Sequence, residues 1–315
     1  MATEDYIPVA ADDWYQRRRE DAEGAFFRRV ADQSPHKGEG GSTRQGIYCL
    51  TADGTLLRYR NAGKAPDVMR RVLRDGLAAW RELPESRRRP GGMVLEDLGR
   101  PDDRYARTPP PGGAIVKVFT RALERAHGGA LLDAACETGD GDEAARDHLW
   151  LTRDEIEAMV PADPRPGQSS PVPPPVVERI ARFHLVDNTR GEPPSWRREQ
   201  VRSAAMTLTV EGVTPREVRL RLDGAALLST AADADRAGRG YDLRLLGHLS
   251  FSREADSLTQ FDVVALGEHW GEASFTRGAR PGRTPLGVAF ELARDTPADR
   301  VPPQGAREWR DYLGH

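Results

Sequence analysis

Cysteine is scarce in this chain: two residues, Cys49 and Cys136, in 315. They form no CxxC, and two lone thiols cannot complete a zinc site. A disulfide between them would need the fold to bring them together, and the expectation is that both are reduced. No run of about 18 apolar residues occurs, so nothing in the sequence reads as a membrane-spanning helix. The opening MATEDYIPVAADD is acidic and lacks an apolar signal core. As written, the chain reads as cytoplasmic. A basic excess is also missing: the net charge is −3 and the pI about 6.2. That gives no reason to expect nucleic acid or an anionic membrane as a partner. Short arginine runs at 17–19, 87–89 and 197–198 each lie beside Asp or Glu and read as solvated faces.

The length suggests about two domains. The apolar share of 38% can build cores, while 31 Gly and 24 Pro favour soluble domains joined by long connectors. The expected class is α+β, in three regions: residues 1–84, a mixed region 85–200, and an antiparallel β domain 201–315. YIPVA at 6–10 reads as a short strand, and 12–32 as one helix with Asp12 or Asp13 as N-cap. IYCL at 47–50 and TLLRY at 55–59 flank the turn ADG, and Pro66–Trp80 reads as an amphipathic helix. In the middle region GAIVKVFTRALERA reads as a β run followed by a helix. LTRDEIEAMV reads as a helix boxed by Thr152 and Glu155. PADPRPGQSSPVPPP, 161–175, reads as a connector, and VVERIARFHL as a helix entered through Pro175. Beyond it, Val218, Leu220 and Leu222 alternate with Arg219 and Arg221, which predicts a half-buried strand. YDLRLLGHLSF and TQFDVVALGEHW read as a long hairpin about READS, followed by LGVAFEL at 286–292. Four to six such strands predict a sandwich or curled sheet.

The glycine-rich stretch GEGGSTRQG, 38–46, precedes a strand and has no Lys-Ser/Thr ending, so it is not a P-loop. Nor does a strand precede it and a helix follow, as a dinucleotide site requires. The segments YIPVAADDW, QGIYCLTADGTLLRY and PDVMRRVLRDGLAAW, within about 5–82, resemble the second part of the thioredoxin fold. They look like the strand after the active-site helix, the closing hairpin and the last helix. The resemblance implies a redox CxxC at a helix start and a cis-proline before the hairpin. Here no CxxC is present, and Thr43-Arg44-Gln45-Gly46 stands at the proline position. On this reading Cys49 is a buried strand residue, and the sheet lacks the strand between 6–10 and 47–50, leaving open edges that a partner or second chain could pair. Two expectations follow. Either the encoded protein begins further upstream, where a redox motif and a secretory or periplasmic signal would lie, or GAIVKVF, 113–119, fills the gap.

Candidate chemistry rests on seven histidines. His148 follows Asp147, His184 ends a helix ahead of Asp187, Arg190 and Glu192, and Glu268, His269 and Glu272 surround Trp270. His148, His184 and His269 with Glu268 are candidate ligands for a transition metal (Zn, Cu, Fe or Mn), since a catalytic metal takes about three such ligands and an open position. The plain alternative is that each histidine fixes a loop by hydrogen bonds. His248 reads as a packed strand histidine. Cys136 lies among Asp133, Glu137, Asp140, Asp142 and Glu143, without the ligand pattern of a calcium loop. A Cys136–His148 pair lacks an identified orienting group, and no GxSxG elbow occurs. Arg190, Arg280 and Arg283, in loops rich in Gly and Pro, are candidates for a carboxylate clamp or for ties between loop and sheet. Three functions remain open at this level: a thioredoxin-related binding or scaffold protein without its own CxxC, a metal-dependent oxidoreductase or hydrolase, and a thiol-redox protein whose active half lies upstream.

Overall fold

A computed structural model describes residues 4–35, 44–61, 65–93, 97, 99–133, 144–294 and 296–314. His36, His315, the glycine-rich 38–43 and the acidic loop with Cys136, Glu137, Asp140, Asp142 and Glu143 lie outside the described residues. The chain divides into two compact units, Met1–Arg107 and Thr108–His315. Helices and a large antiparallel sheet together make an α+β protein. Among the described residues no helix is long and apolar enough to cross a membrane.

In the first unit the expected single helix is two: α1 (Asp13–Gln16) and α2 (Ala22–Ala31). Asp12 caps α1 by accepting from Trp14 N at 2.8 Å, and Asp21 caps α2 by accepting from Gly24 N at 3.0 Å. The break follows from that second cap, because an Asp that accepts from the backbone N–H three residues on starts a new helix. β1 (Ile47–Leu50) and β2 (Leu56–Arg60) form a hairpin, and α3 (Pro66–Glu82) and α4 (Glu85–Arg88) follow. Cys49 is buried beside Gly76 of α3, and its burial raises the thiol pKa, which disfavours the thiolate. Residues 6–10 are not a strand. Ile7 and Val9 are exposed and Pro8 has no N–H for a ladder. The Tyr6 hydroxyl anchors this run, donating to Leu73 O at 2.6 Å. Among the described residues β1 and β2 pair only with each other.

The second unit is built on one nine-stranded antiparallel sheet. Its elements are β3 (Ala114–Arg125), β4 (Leu131–Asp133), β5 (Ala144–Leu151), α5 (Arg153–Met159), β6 (Ser169–Pro171), α6 (Pro174–Arg179), β7 (Val201–Val213), β8 (Glu217–Ser229), β9 (Arg239–Ser252), β10 (Ser257–Gly271), β11 (Thr284–Leu292) and α7 (Trp309–Leu313). The order is β4-β3-β11-β10-β9-β8-β7-β6, with β5 also paired to β3. Three expectations change here. GAIVKVF belongs to β3, which pairs β11, β5 and β4 and so fills no gap in the first unit. The whole of 114–125 is strand where a helix beyond 119 is expected from the sequence, because β11, β5 and β4 between them pair its length. The connector 161–175 contains β6, whose Pro171 sits at the sheet edge, where a missing N–H is tolerated. β3 and β5 therefore place part of the region 85–200 in the same sheet as the strands of 201–315.

Period-two alternation turns Val218, Leu220, Leu222, Leu243, Leu245, Val263 and Ala265 inward and Arg219, Arg221, Arg244 and Asp262 outward. On the inner face Ile156, Met159, Val176 and Ile180 from the helical segments pack on the strands. At one end of the sheet Arg179 is buried. Its guanidinium donates to both Glu155 oxygens (2.8 and 2.6 Å), to Trp150 O at 3.1 Å and to Tyr312 O at 2.6 Å. This group joins α5, β5, α6 and α7. Glu155→Gln leaves a buried guanidinium without its carboxylate, and the expected loss is about 3 kcal/mol. A fall in the urea midpoint at an unchanged slope would confirm it, and a midpoint within error of the parent would contradict it.

Candidate functional site

α6 continues into one π-helical turn, Ile180–His184, closed by Leu185 N on Ile180 O at 3.0 Å. Such turns are frequent at functional sites. Beyond it the chain runs irregularly to β7 and is anchored by Trp196, which is fully buried. The Trp196 indole donates to Leu185 O at 2.9 Å, and its backbone N–H donates to Arg182 O at 2.9 Å.

Within this segment Asp187 shapes a turn, accepting from Thr189 N (3.1 Å) and Thr189 Oγ1 (2.6 Å) through Oδ1. Its Oδ2 accepts from Arg190 Nε at 2.8 Å and lies 4.0 Å from His269 Nδ1. Burial alone would raise the Asp187 pKa, but the Thr189 hydrogen bond and the Arg190 charge hold it below the ordinary carboxylate value. His269 is buried at the end of β10, edge-on to Tyr241 with ring centres 5.9 Å apart. Burial drives its pKa down to about 4, against the pull of Asp187, so it is neutral near pH 7. Arg239, at the start of β9, is 6% exposed, and burial lowers its pKa to about 10. Its guanidinium stacks 3.9 Å from the Trp196 ring centre and reaches Pro194 O only at 3.3 and 3.4 Å. Its Nε has no hydrogen-bond partner, and among the described residues it has no ion pair.

Asp187, His269 and Arg239 line a cavity of about 10 Å³ together with Trp196 and Thr276. Val186 and Pro193 line this cavity and also a larger cleft of about 260 Å³. The cleft is walled by Phe183, Pro194, Phe275 and the segment 304–308. Its loops are braced. Arg190 donates to Thr276 O (2.6 Å) and Gly271 O (3.1 Å), Ser195 Oγ to Glu308 Oε1 (2.9 Å), and Arg307 to Glu192 Oε2 (2.9 Å). Gly191, at φ +150°, allows the two loops to meet, since a Cβ there would collide with the Phe275 carbonyl oxygen.

A second polar cluster lies beside Arg179. His184 Nε2 and the Tyr312 hydroxyl are 2.8 Å apart, and that hydroxyl accepts from Trp150 N at 3.3 Å. His184 Nδ1 lies 3.3 Å from Asp147 Oδ2 without hydrogen-bond alignment, and Asp147 Oδ1 accepts from Gln304 N at 3.0 Å. Burial lowers the His148 pKa and raises that of Tyr312 well above its usual value.

The histidines expected to share a metal are therefore apportioned between two clusters. His184 bonds Tyr312, His269 lies against Asp187 and Tyr241, and His148 is buried on β5. Among the described residues no three His, Cys, Asp or Glu side chains are grouped to hold a metal ion. Glu268 is half-buried and pairs with Arg125 across the sheet. Of the three clamp candidates, Arg190 braces the cleft, Arg280 donates to Leu123 O (2.6 Å) and Pro285 O (3.0 Å), and Arg283 pairs with Asp235 and stacks on Trp270. All three act as ties. His248 is exposed and lies 3.2 Å from Glu211. Arg239 is one arginine of GRGYD in the sequence, with no local signal of burial.

Tyr312→Phe should cost about 1–3 kcal/mol, because Trp150 N and His184 Nε2 lose their shared buried partner. Urea denaturation reads this directly, and an unchanged midpoint would count against the cluster's role. His269 gives a pH dependence of defined sign. Its pKa is lowered from 6.5 in the unfolded chain to about 4, so the unfolded state binds the proton first. Stability is thus retained above pH 6.5 and lost as pH falls toward about 4, by on the order of 3 kcal/mol at the limit. His269→Gln should flatten that slope, leaving the smaller contribution of His148. Urea midpoints near neutrality and near pH 5 in both proteins are the check, and an identical slope would refute the assignment. Comparison with protein-family models, with curated proteins and with solved structures returns no match to this chain.

Proposed function

We propose that this chain is a binding protein. Its second unit holds a small ligand in the braced cleft, and its first unit serves as a thioredoxin-related scaffold module without a redox motif. The observation that carries the reading is the cleft itself. Ligand sites are concave and mostly apolar, with a few convergent polar groups. Here Phe183, Val186, Pro193, Pro194 and Phe275 supply the apolar wall, and the adjoining cavity supplies Asp187, His269 and Arg239. The size suits one small molecule or one side chain of a peptide. Support for the scaffold part is the hairpin β1–β2 followed by α3, the order seen in the closing half of a thioredoxin-like domain.

The test is a ligand-observed NMR screen of fragments of mixed charge against the full chain and against Ser274→Trp, in which an indole at the exposed rim blocks the cleft. Fragments that bind the parent and fail to bind Ser274→Trp are the expected result. Hits that persist in the variant, or a screen without hits, would overturn the reading.

A further inference from the structure

We infer that the cleft selects an organic carboxylate, one oxygen of which enters the small cavity against Arg239 while its apolar part lies between Phe275 and the Pro193–Pro194 wall. This rests on the proposed binding role of the cleft. The premise is a charge that no carboxylate balances among the described residues. A buried ion is costly unless it is paired and hydrogen-bonded. The other deeply buried guanidiniums obey that rule: Arg19 pairs with Asp21, Arg179 with Glu155, and Arg182 with Glu178 and Asp311. Arg239 has only a ring stack and two long bonds to Pro194 O, and its Nε is unpartnered.

The groups facing it leave that charge uncompensated. Asp187 is already matched by Arg190 and by two bonds from Thr189. His269 is neutral, Thr276 is uncharged, and Trp196 is bonded to Leu185 O. With Asp187 matched by Arg190 outside the cavity, the Arg239 charge is left over beside it, with donor capacity free at Nε. About 10 Å³ admits one water-sized group, such as a single carboxylate oxygen. Val186 and Pro193 line both cavity and cleft, so the remainder of such a ligand continues into the apolar space. A charge-assisted hydrogen bond from the unpartnered Nε–H to that oxygen is the contact the fold leaves unmade. A free inorganic anion would satisfy the charge but would leave the cleft unused.

Benzoate and its uncharged isostere benzamide separate the possibilities. Their affinities for the full chain are measured by titration calorimetry, and the Arg239 Nε–H resonance is followed by nitrogen-15 NMR in the unaltered protein. The expected result is that benzoate binds about tenfold or more tightly than benzamide and moves the Nε–H resonance, which benzamide leaves in place. In Arg239→Gln the two should bind alike. Equal affinities in the unaltered protein would overturn the carboxylate assignment and leave the cleft reading standing. So would a resonance that responds to chloride as strongly as to benzoate, since that marks a free-anion site. Failure of both compounds to bind, with Ser274→Trp indistinguishable from the parent in the fragment screen, would overturn the cleft reading itself.

Discussion

The Arg179–Glu155 pair is the contact on which the architecture of the second unit turns. The Arg179 side chain is 2% exposed and that of Glu155 12%, so neither charge has water to fall back on. A planar guanidinium has several donors in a rigid fork, and here they meet one carboxylate and two carbonyls. Those partners come from three elements, β5, α5 and α7, the last of them 133 residues from Arg179 in sequence. Glu155 opens α5 and also closes the capping box with Thr152, while the carbonyls belong to β5 and α7. The pair thereby determines where α6 ends and where the C-terminal helix docks. From there the π turn delivers His184 to Tyr312 and directs the chain toward Trp196.

Long strands give the site its rigidity. β9 and β10 pair over nearly their whole lengths, so Arg239 and His269 sit on paired backbone with little freedom to move. The loops that complete the cleft are ordered by arginine-to-carbonyl ties, chiefly those of Arg190 and Arg280. Arginine thus does in this unit much of what disulfides do in cysteine-rich domains. A guanidinium can satisfy several carbonyls that have left the ladder, which removes the penalty of burying them. Arg239 is the exception, placed by β9 and Trp196 and, among the described residues, left without an ion pair.

Much of the sheet was legible in the sequence because alternation is a local signal. Leu220 between Arg219 and Arg221 already states which residues face inward, whereas Val264 and Leu266 are exposed on either side of buried Ala265, which no local alternation announces. The Thr152–Glu155 box and Pro66 at a helix start were legible for the same reason, since caps act within one turn. The sequence reads 12–32 as one helix because apolar spacing continues across the point where Asp21 begins a new one. Residues 6–10 form no strand because a β-rich composition cannot supply a pairing partner, and 120–125 are strand because pairing overrides helix propensity. At the site, Asp187, Arg190 and His269 were visible as polar groups in suggestive settings. Their grouping was not, because it depends on strands and loops about 80 residues apart converging.

The sequence by itself determined the α+β class, the inward and outward faces of the long strands, the helix caps and the want of a CxxC, all of which depend on neighbours a few positions away. Only the tertiary structure decided that one sheet spans β3 to β11, that the histidines part into two clusters and that the loop arginines act as ties. It also decided that Arg239 is buried unpaired beside a cleft. Burial and pairing of a charge are set by whatever long-range packing places around it, and composition and spacing do not contain that information.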